Sequence, residues 1–117
     1  MPALDLTILY VTDVAASARF YARLLGAEPV EQAPGFAMFR AGGGLGLWQR
    51  DAVAPAAAGG PGCSELCFMT GDVEALHAEW LAQGITIIDP PTAHEFGISV
   101  TGLDPDGHRL RGLAPQP

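Results

Sequence analysis

The stretch Ile8-Leu9-Tyr10-Val11-Thr12-Asp13, continuing through Val14-Ala15-Ala16-Ser17-Ala18-Arg19-Phe20-Tyr21-Ala22-Arg23-Leu24-Leu25-Gly26, decides the fold. Its first part belongs to an alternating segment, Ala3 to Val11. Leu4, Leu6, Ile8 and Tyr10 fall on one face and Thr7, Leu9 and Val11 on the other, so the period of two predicts a strand with apolar character on both sides. Asp13 then stands where a helix N-cap is needed. Val14, Ala18, Tyr21 and Leu25 recur at helical spacing, and Gly26 is placed to stop the helix. Three short strands are predicted next, Glu28 to Gln32, Phe36 to Arg40 and Leu45 to Gln49, with turns at Ala33-Pro34-Gly35 and Gly42-Gly43-Gly44.

The same order returns later in the chain. Glu65 to Thr70 alternates, with Leu66 and Phe68 on one face and Glu65, Cys67 and Met69 on the other. Asp72 is the second cap. Val73, Leu76, His77, Trp80 and Leu81 form the stripe of a second helix, and Gly84 stops it. Strands are predicted at Ile85 to Ile88, Ile98 to Leu103 and His108 to Leu113, with turns at Asp89-Pro90-Pro91 and Asp104-Pro105-Asp106-Gly107. Asp72 and Trp80 follow Asp13 and Tyr21 at the same offset, so the chain contains an internal repeat. Between the copies, Asp51 to Gly62 is nearly all Ala, Pro and Gly and reads as a linker. The expected architecture is α+β: two βαβββ modules, 1–50 and 63–117, joined by the linker 51–62 into a single domain. One helix covers one face of each sheet. Two such modules are expected to curve into a half-open cup with the helices outside, and a concavity of this kind is where a small ligand binds.

Composition narrows the function. The 117 residues carry 13 acidic against 6 basic side chains, a formal net charge of −7, and all six basic residues are arginine. An acidic chain without a basic stripe is not built for nucleic acid or for an anionic membrane surface. Without lysine, Schiff-base chemistry is excluded. No apolar run is long enough to span a bilayer, and the N-terminal residues lack the basic and apolar regions of a secretory signal. Cys63 and Cys67, on one strand, would lie about 13 Å apart at roughly 3.3 Å per residue, too far to bridge. Reduced cysteines in a cytoplasmic protein are the expectation. Ser64 and Ser99 have no histidine in register, so no nucleophile–base pair is visible.

The stretches Ile8-Leu9-Tyr10-Val11-Thr12-Asp13, Ser17, Phe20-Tyr21 and Leu25-Gly26, with Asp104-Pro105-Asp106-Gly107-His108-Arg109-Leu110, resemble the vicinal oxygen chelate superfamily. Glyoxalase I, extradiol dioxygenases, methylmalonyl-coenzyme A epimerase and fosfomycin- and bleomycin-resistance proteins belong to it. Within it the chain is similar to phenazine-antibiotic resistance proteins, which bind a planar ligand without chemistry. The matching stretches are Leu47-Trp48, Ser64-Glu65 with Met69, Glu79-Trp80, Phe96-Gly97, and Asp104 to His108 with Arg111.

The resemblance implies four metal-ligand positions, which in this chain are Leu6, Trp48, Glu65 and Arg111. Only Glu65 can ligate, and arginine has no lone pair to offer. His77 on a helix, His94 in a loop and His108 in an exposed turn do not complete a set. No metal and no other cofactor is therefore expected. Glu65 and Arg111, on neighbouring strands, are expected to pair, because an unpaired charge on an apolar floor is costly.

The function implied is binding: a planar aromatic, mostly apolar molecule, of the antibiotic or secondary-metabolite type, stacked on Trp48. Tyr10, Phe36, Met38, Met69 and Phe96 line the site, and Glu65 and Arg111 supply its polar groups. An indole suits this role because it offers a flat apolar face and one N–H donor. The alternative is a metal-dependent lyase or isomerase of the glyoxalase or epimerase kind with Glu65 as base. Members of the superfamily often build a cup across two chains, so a homodimer is expected, with modules paired within or between chains.

Overall fold

The computed structural model describes residues 2, 4–40 and 42–116. The chain divides into two compact units, one ending at Cys63 and the other beginning at Ser64.

The first unit contains β1 (Thr7–Val11), α1 (Val14–Leu25), β2 (Glu31–Ala33), β3 (Phe36–Phe39) and β4 (Leu45–Gln49), followed by a 3-10 turn at Arg50–Ala52. The second contains β5 (Glu65–Met69), α2 (Val73–Ala82), β6 (Thr86–His94), β7 (Gly97–Leu103) and β8 (Arg109–Pro115). Their strand orders are β1-β4-β3-β2 and β5-β8-β7-β6. In each, the first strand runs parallel to the last, and the remaining pairs are antiparallel. The α+β, twice-repeated βαβββ architecture is thus present in identical connectivity.

The helices begin and end where the caps require. Asp13 Oδ1 accepts from the Ala16 N–H at 3.1 Å, and Asp72 Oδ1 accepts from the Ala75 N–H at 3.0 Å, each satisfying a donor that has no partner inside its helix. Gly26 (φ 64°) and Gly84 (φ 77°) take the left-handed conformation that ends each helix. The Gln49 side chain ties the end of β4 to the start of α1: its Oε1 accepts from the Val14 N–H at 3.3 Å and its Nε2 donates to the Thr12 carbonyl.

Each helix covers one face of its sheet. In the first unit Leu9, Val11, Val14, Ala18, Tyr21, Ala37, Phe39 and Leu47 are all buried. In the second, Val73, Trp80, Ile85, Val100 and Leu110 are buried, with the Phe68 ring edge-on to Trp80.

Six expectations are corrected. β1 spans Thr7–Val11 rather than starting at Ala3 (Ala3 itself lies outside the described residues), because its partner β4 begins only at Leu45, opposite Thr7. The face of Ile8 and Tyr10 is not buried: Ile8 is 39% exposed and Tyr10 is half-buried, since α1 reaches only the side of Leu9 and Val11. Asp89-Pro90-Pro91 is not a turn that ends a strand. β6 runs through it to His94, with register shifts between Ile87 and Asp89 and between Asp89 and Thr92. β6 is an edge strand, so prolines that cannot donate on the outer side cost no ladder bond, and the bulges absorb the rest. His94, expected in a loop, is the last residue of that strand. Finally, His108 is not in an exposed turn. It is fully buried, and its Nδ1 lies 2.7 Å from Asp104 Oδ2. Asp104 Oδ1 also accepts from the N–H groups of Asp106 at 2.9 Å and His108 at 2.8 Å, so the carboxylate folds the turn around itself and draws the imidazole inward. Along α2, Leu81 lies outside the buried stripe and is 55% exposed.

Candidate functional site

The sheet face that α1 leaves uncovered carries an aromatic cluster. Because side chains alternate along a strand, the register decides which residues share that face. Tyr10 on β1 lies opposite Trp48 on β4, and Trp48 lies opposite Phe36 on β3. Met38 and Ile8 flank Gly46 from either side. The Phe36 and Trp48 rings meet edge to face, with centroids 6.3 Å apart and planes at 85°. Gly46 makes this possible: a Cβ there would sit 3.2 Å from both Ile8 Cγ1 and Phe36 Cζ, so the missing side chain leaves room for the Phe36 ring. Tyr10, Phe36, Met38 and Trp48 are all half-buried, neither sealed in the core nor free in solvent. Four of the residues selected from sequence are thereby gathered on one face. Ile8 and Gly46 were not selected; Ile8 was signalled by its alternation with Tyr10, whereas the role of Gly46 follows only from pairing.

A cleft of about 270 Å³ lies on the other side of this unit, between α1 and the approach to β2. It is lined by Ala18, Arg19, Ala22, Arg23, Glu28, Pro29 and Gln32, none of them a selected residue.

The uncovered face of the second unit is polar at its centre. Cys67 lies opposite Arg111, Glu65 opposite Arg109, Met69 opposite Leu113, and Thr101 opposite Arg111 on the other flank. Arg111 forks onto Glu65: Nε donates to Oε2 at 2.9 Å and Nη2 to Oε1 at 3.2 Å. Nη1 donates to the buried Ser99 hydroxyl at 2.9 Å. Paired planar groups of this kind hold each other in a fixed orientation. Met69, 64% exposed, stands on the same face. Phe96 lies in the turn between β6 and β7, 52% exposed, with its ring stacked on His94 at 4.9 Å and 2°. Ser99 was missed as a partner of Arg111; its position two residues from Thr101 on β7 was the available signal.

The ion pair sets the electrostatics. Hydrogen bonding to Arg111 holds the Glu65 carboxyl below its usual value of 4.5, against a smaller opposing effect of burial. Glu65 raises the Arg111 guanidinium pKa in return, and burial pushes the Cys67 thiol up. Glu65 is consequently a poor proton acceptor as placed. A group with a depressed folded-state pKa stabilises the fold above its unfolded pKa, and that contribution is lost as pH falls through the folded value. The stability difference between the wild type and Glu65→Gln is therefore expected to be full above about pH 5 and to shrink on acidification below 4.5. Thermal unfolding midpoints measured from pH 6 to pH 3 check this, and a gap independent of pH would refute it.

These residues do not fit a divalent metal. Both oxygens of Glu65 are engaged by Arg111, whose permanent positive charge and lack of a lone pair leave no room for a cation beside them. Among the described residues, no group of three or more His, Cys, Asp or Glu side chains is placed to hold a metal ion. Among the same residues, no helix is long and apolar enough to cross a membrane.

Comparison with known proteins agrees with the topology. The family model of the Glyoxalase/Bleomycin resistance protein/Dioxygenase superfamily matches residues 3–111. A phenazine antibiotic resistance protein, EhpR of Enterobacter agglomerans, is 33% identical over 92% of this chain and 88% of its own length. Protein ATC0852 from Agrobacterium tumefaciens superposes with a TM-score of 0.88 at 42% identity, covering all of both chains. A glyoxalase-related enzyme from Fulvimarina pelagi gives 0.82 at 25% identity, over 97% of this chain and 88% of the other. With the repeated βαβββ connectivity matched along nearly its whole length, the chain belongs to the Glyoxalase/Bleomycin resistance protein/Dioxygenase superfamily.

Proposed function

We propose that this chain is a binding protein that sequesters a planar, mostly apolar small molecule by stacking, without a metal ion in the contact. The observation that carries the reading is the cross-strand row Tyr10, Trp48 and Phe36 on the uncovered face of the first unit, with Met38 beside it. Half-buried aromatic rings on a sheet face offer flat apolar area that is already ordered, so a flat guest gains contact at little entropic cost. The similarity to a phenazine antibiotic resistance protein supports a guest of this shape, since a phenazine is a flat fused-ring aromatic. Glu65, Met69, Phe96 and Arg111 are assigned as ligand-binding residues on the second unit. The filling of a metal-ligand position by Arg111 supports a binding mode that depends on shape and hydrogen bonds.

Tryptophan fluorescence tests the reading. Trp80 is buried at 2% exposure, so quenching by added ligand reports on Trp48. Titration with phenazine and other planar aromatics is expected to quench wild-type emission with saturation. Trp48→Ala is expected to weaken binding about tenfold or more, measured by calorimetry. Pretreatment with EDTA is expected to leave the affinity unchanged. Absence of quenching by every compound, or equal binding by the variant, would discard the proposal.

A further inference from the structure

Arg111 uses only part of its hydrogen-bonding capacity. A guanidinium carries five N–H donors and no acceptor. Nε and Nη2 each give one to Glu65, and Nη1 gives one to Ser99. One N–H on Nη1 and one on Nη2 remain, and no further partner for them exists among the described residues. The side chain is 19% exposed, on the face that α2 does not cover. Its orientation is fixed from two strands, by Glu65 on β5 and Ser99 on β7, so the two remaining donors are pre-organised.

The charges around it decide what those donors suit. Glu65 neutralises Arg111 directly, and Asp89 on β6 adds a second negative charge to the field at the guanidinium. Arg109 contributes the other positive charge acting on Glu65. The face is thus balanced, and the chain as a whole carries −7. An anion gains little there, whereas an uncharged acceptor loses nothing. Met69 and Leu113, paired across β5 and β8, supply apolar surface on the same face.

We propose that Arg111 is the specificity-determining residue of this face: its free Nη1–H and Nη2–H donate to a carbonyl oxygen or ring nitrogen of an uncharged planar molecule, with Met69 and Leu113 against the ring. The face therefore selects heteroaromatic or quinone-like rings over hydrocarbon rings of the same shape. This goes beyond stacking on Trp48 but rests on the reading that the chain takes planar ligands.

Quinoxaline and naphthalene form the matched probe pair, equal in shape, with two ring nitrogens against none. The full chain, labelled with 15N, is titrated with each, and the Trp48 indole N–H and the Arg111 guanidinium signals are followed. Quinoxaline is expected to shift the Arg111 signals and to bind about tenfold more tightly than naphthalene, the discrimination of a hydrogen bond to a charged group. In the double variant Glu65→Leu/Arg111→Met, which removes both charges together and so strands neither, and which leaves no side-chain N–H donor at either position, the two probes are expected to bind alike. Equal binding by the wild type, or a preference that survives in the double variant, overturns the assignment. The two readings fail separately. Equal shifts of Trp48 with both probes and still Arg111 signals overturn only the Arg111 proposal. A stationary Trp48 with both probes overturns the stacking reading on which it rests.

Discussion

Asp104→Ala is expected to destabilise the second unit by about 3–5 kcal/mol, because it leaves three groups without their hydrogen-bond partner at about 1–3 kcal/mol for each that is buried. Asp104 is 5% exposed and His108 is fully buried. One carboxylate oxygen accepts the backbone N–H groups of Asp106 and His108, and the other meets His108 Nδ1. Alanine leaves those donors without an acceptor in a site with little access to water. Each unmade bond then costs the desolvation of its group, which exceeds the modest net gain of making it. The turn they fold joins β7 to β8, the strand that carries Arg111, so the variant is expected to weaken the Glu65–Arg111 register as well. Asp104→Asn keeps an acceptor for the backbone donors and is expected to lose less. Urea unfolding of the three proteins measures the difference. A loss below about 1 kcal/mol in Asp104→Ala would show that the turn is held by its backbone alone.

Trp80→Ala is expected to cost a similar amount, about 3–5 kcal/mol, by a different route. Trp80 is 2% exposed on α2, and the Phe68 ring of β5 meets it edge to face at 6.1 Å and 86°. Removing the indole forfeits its transfer from water and opens a cavity between helix and sheet that the backbone cannot close. Trp80→Phe is expected to recover most of the loss, since a ring still fills much of the space. The contrast with Trp48 is the informative part. Trp48→Ala removes a half-buried ring from an uncovered face, so it is expected to affect ligand binding far more than stability. If Trp48→Ala unfolded the chain as readily as Trp80→Ala, Trp48 would be core, and the binding face would have to be sought elsewhere.

Much of this fold is legible in the order of residues because its signals are local. Asp13 and Asp72 cap helices through bonds three residues along, and Gly26 and Gly84 stop them through their own backbone conformation. The periods of two and of 3.6 are equally local, and their repetition exposes the two modules. Failures occurred where a neighbour decided. Pro90 and Pro91 look like a strand end until β6 proves to be an edge. His108 follows a turn and looks exposed until Asp104 claims its ring.

The site divides in the same way. Alternation places Ile8 with Tyr10 and Glu65 with Met69 on common faces, and the strands of Glu65 and Arg111 are expected to be neighbours; that they run parallel is a finding of the structure. The Glu65–Arg111 pair follows from that neighbourhood and is present with both carboxylate oxygens engaged. Alternation could not say which strands lie side by side in register. Only the tertiary structure set Tyr10 and Phe36 on either side of Trp48, left Gly46 as the gap that accommodates Phe36, and brought Ser99 to Arg111. By itself the sequence determined the modules, their caps, and the acidic and lysine-free character. Tertiary structure decided which side chains touch, because strand register and helix coverage depend on residues far apart in the chain, and no local pattern encodes them.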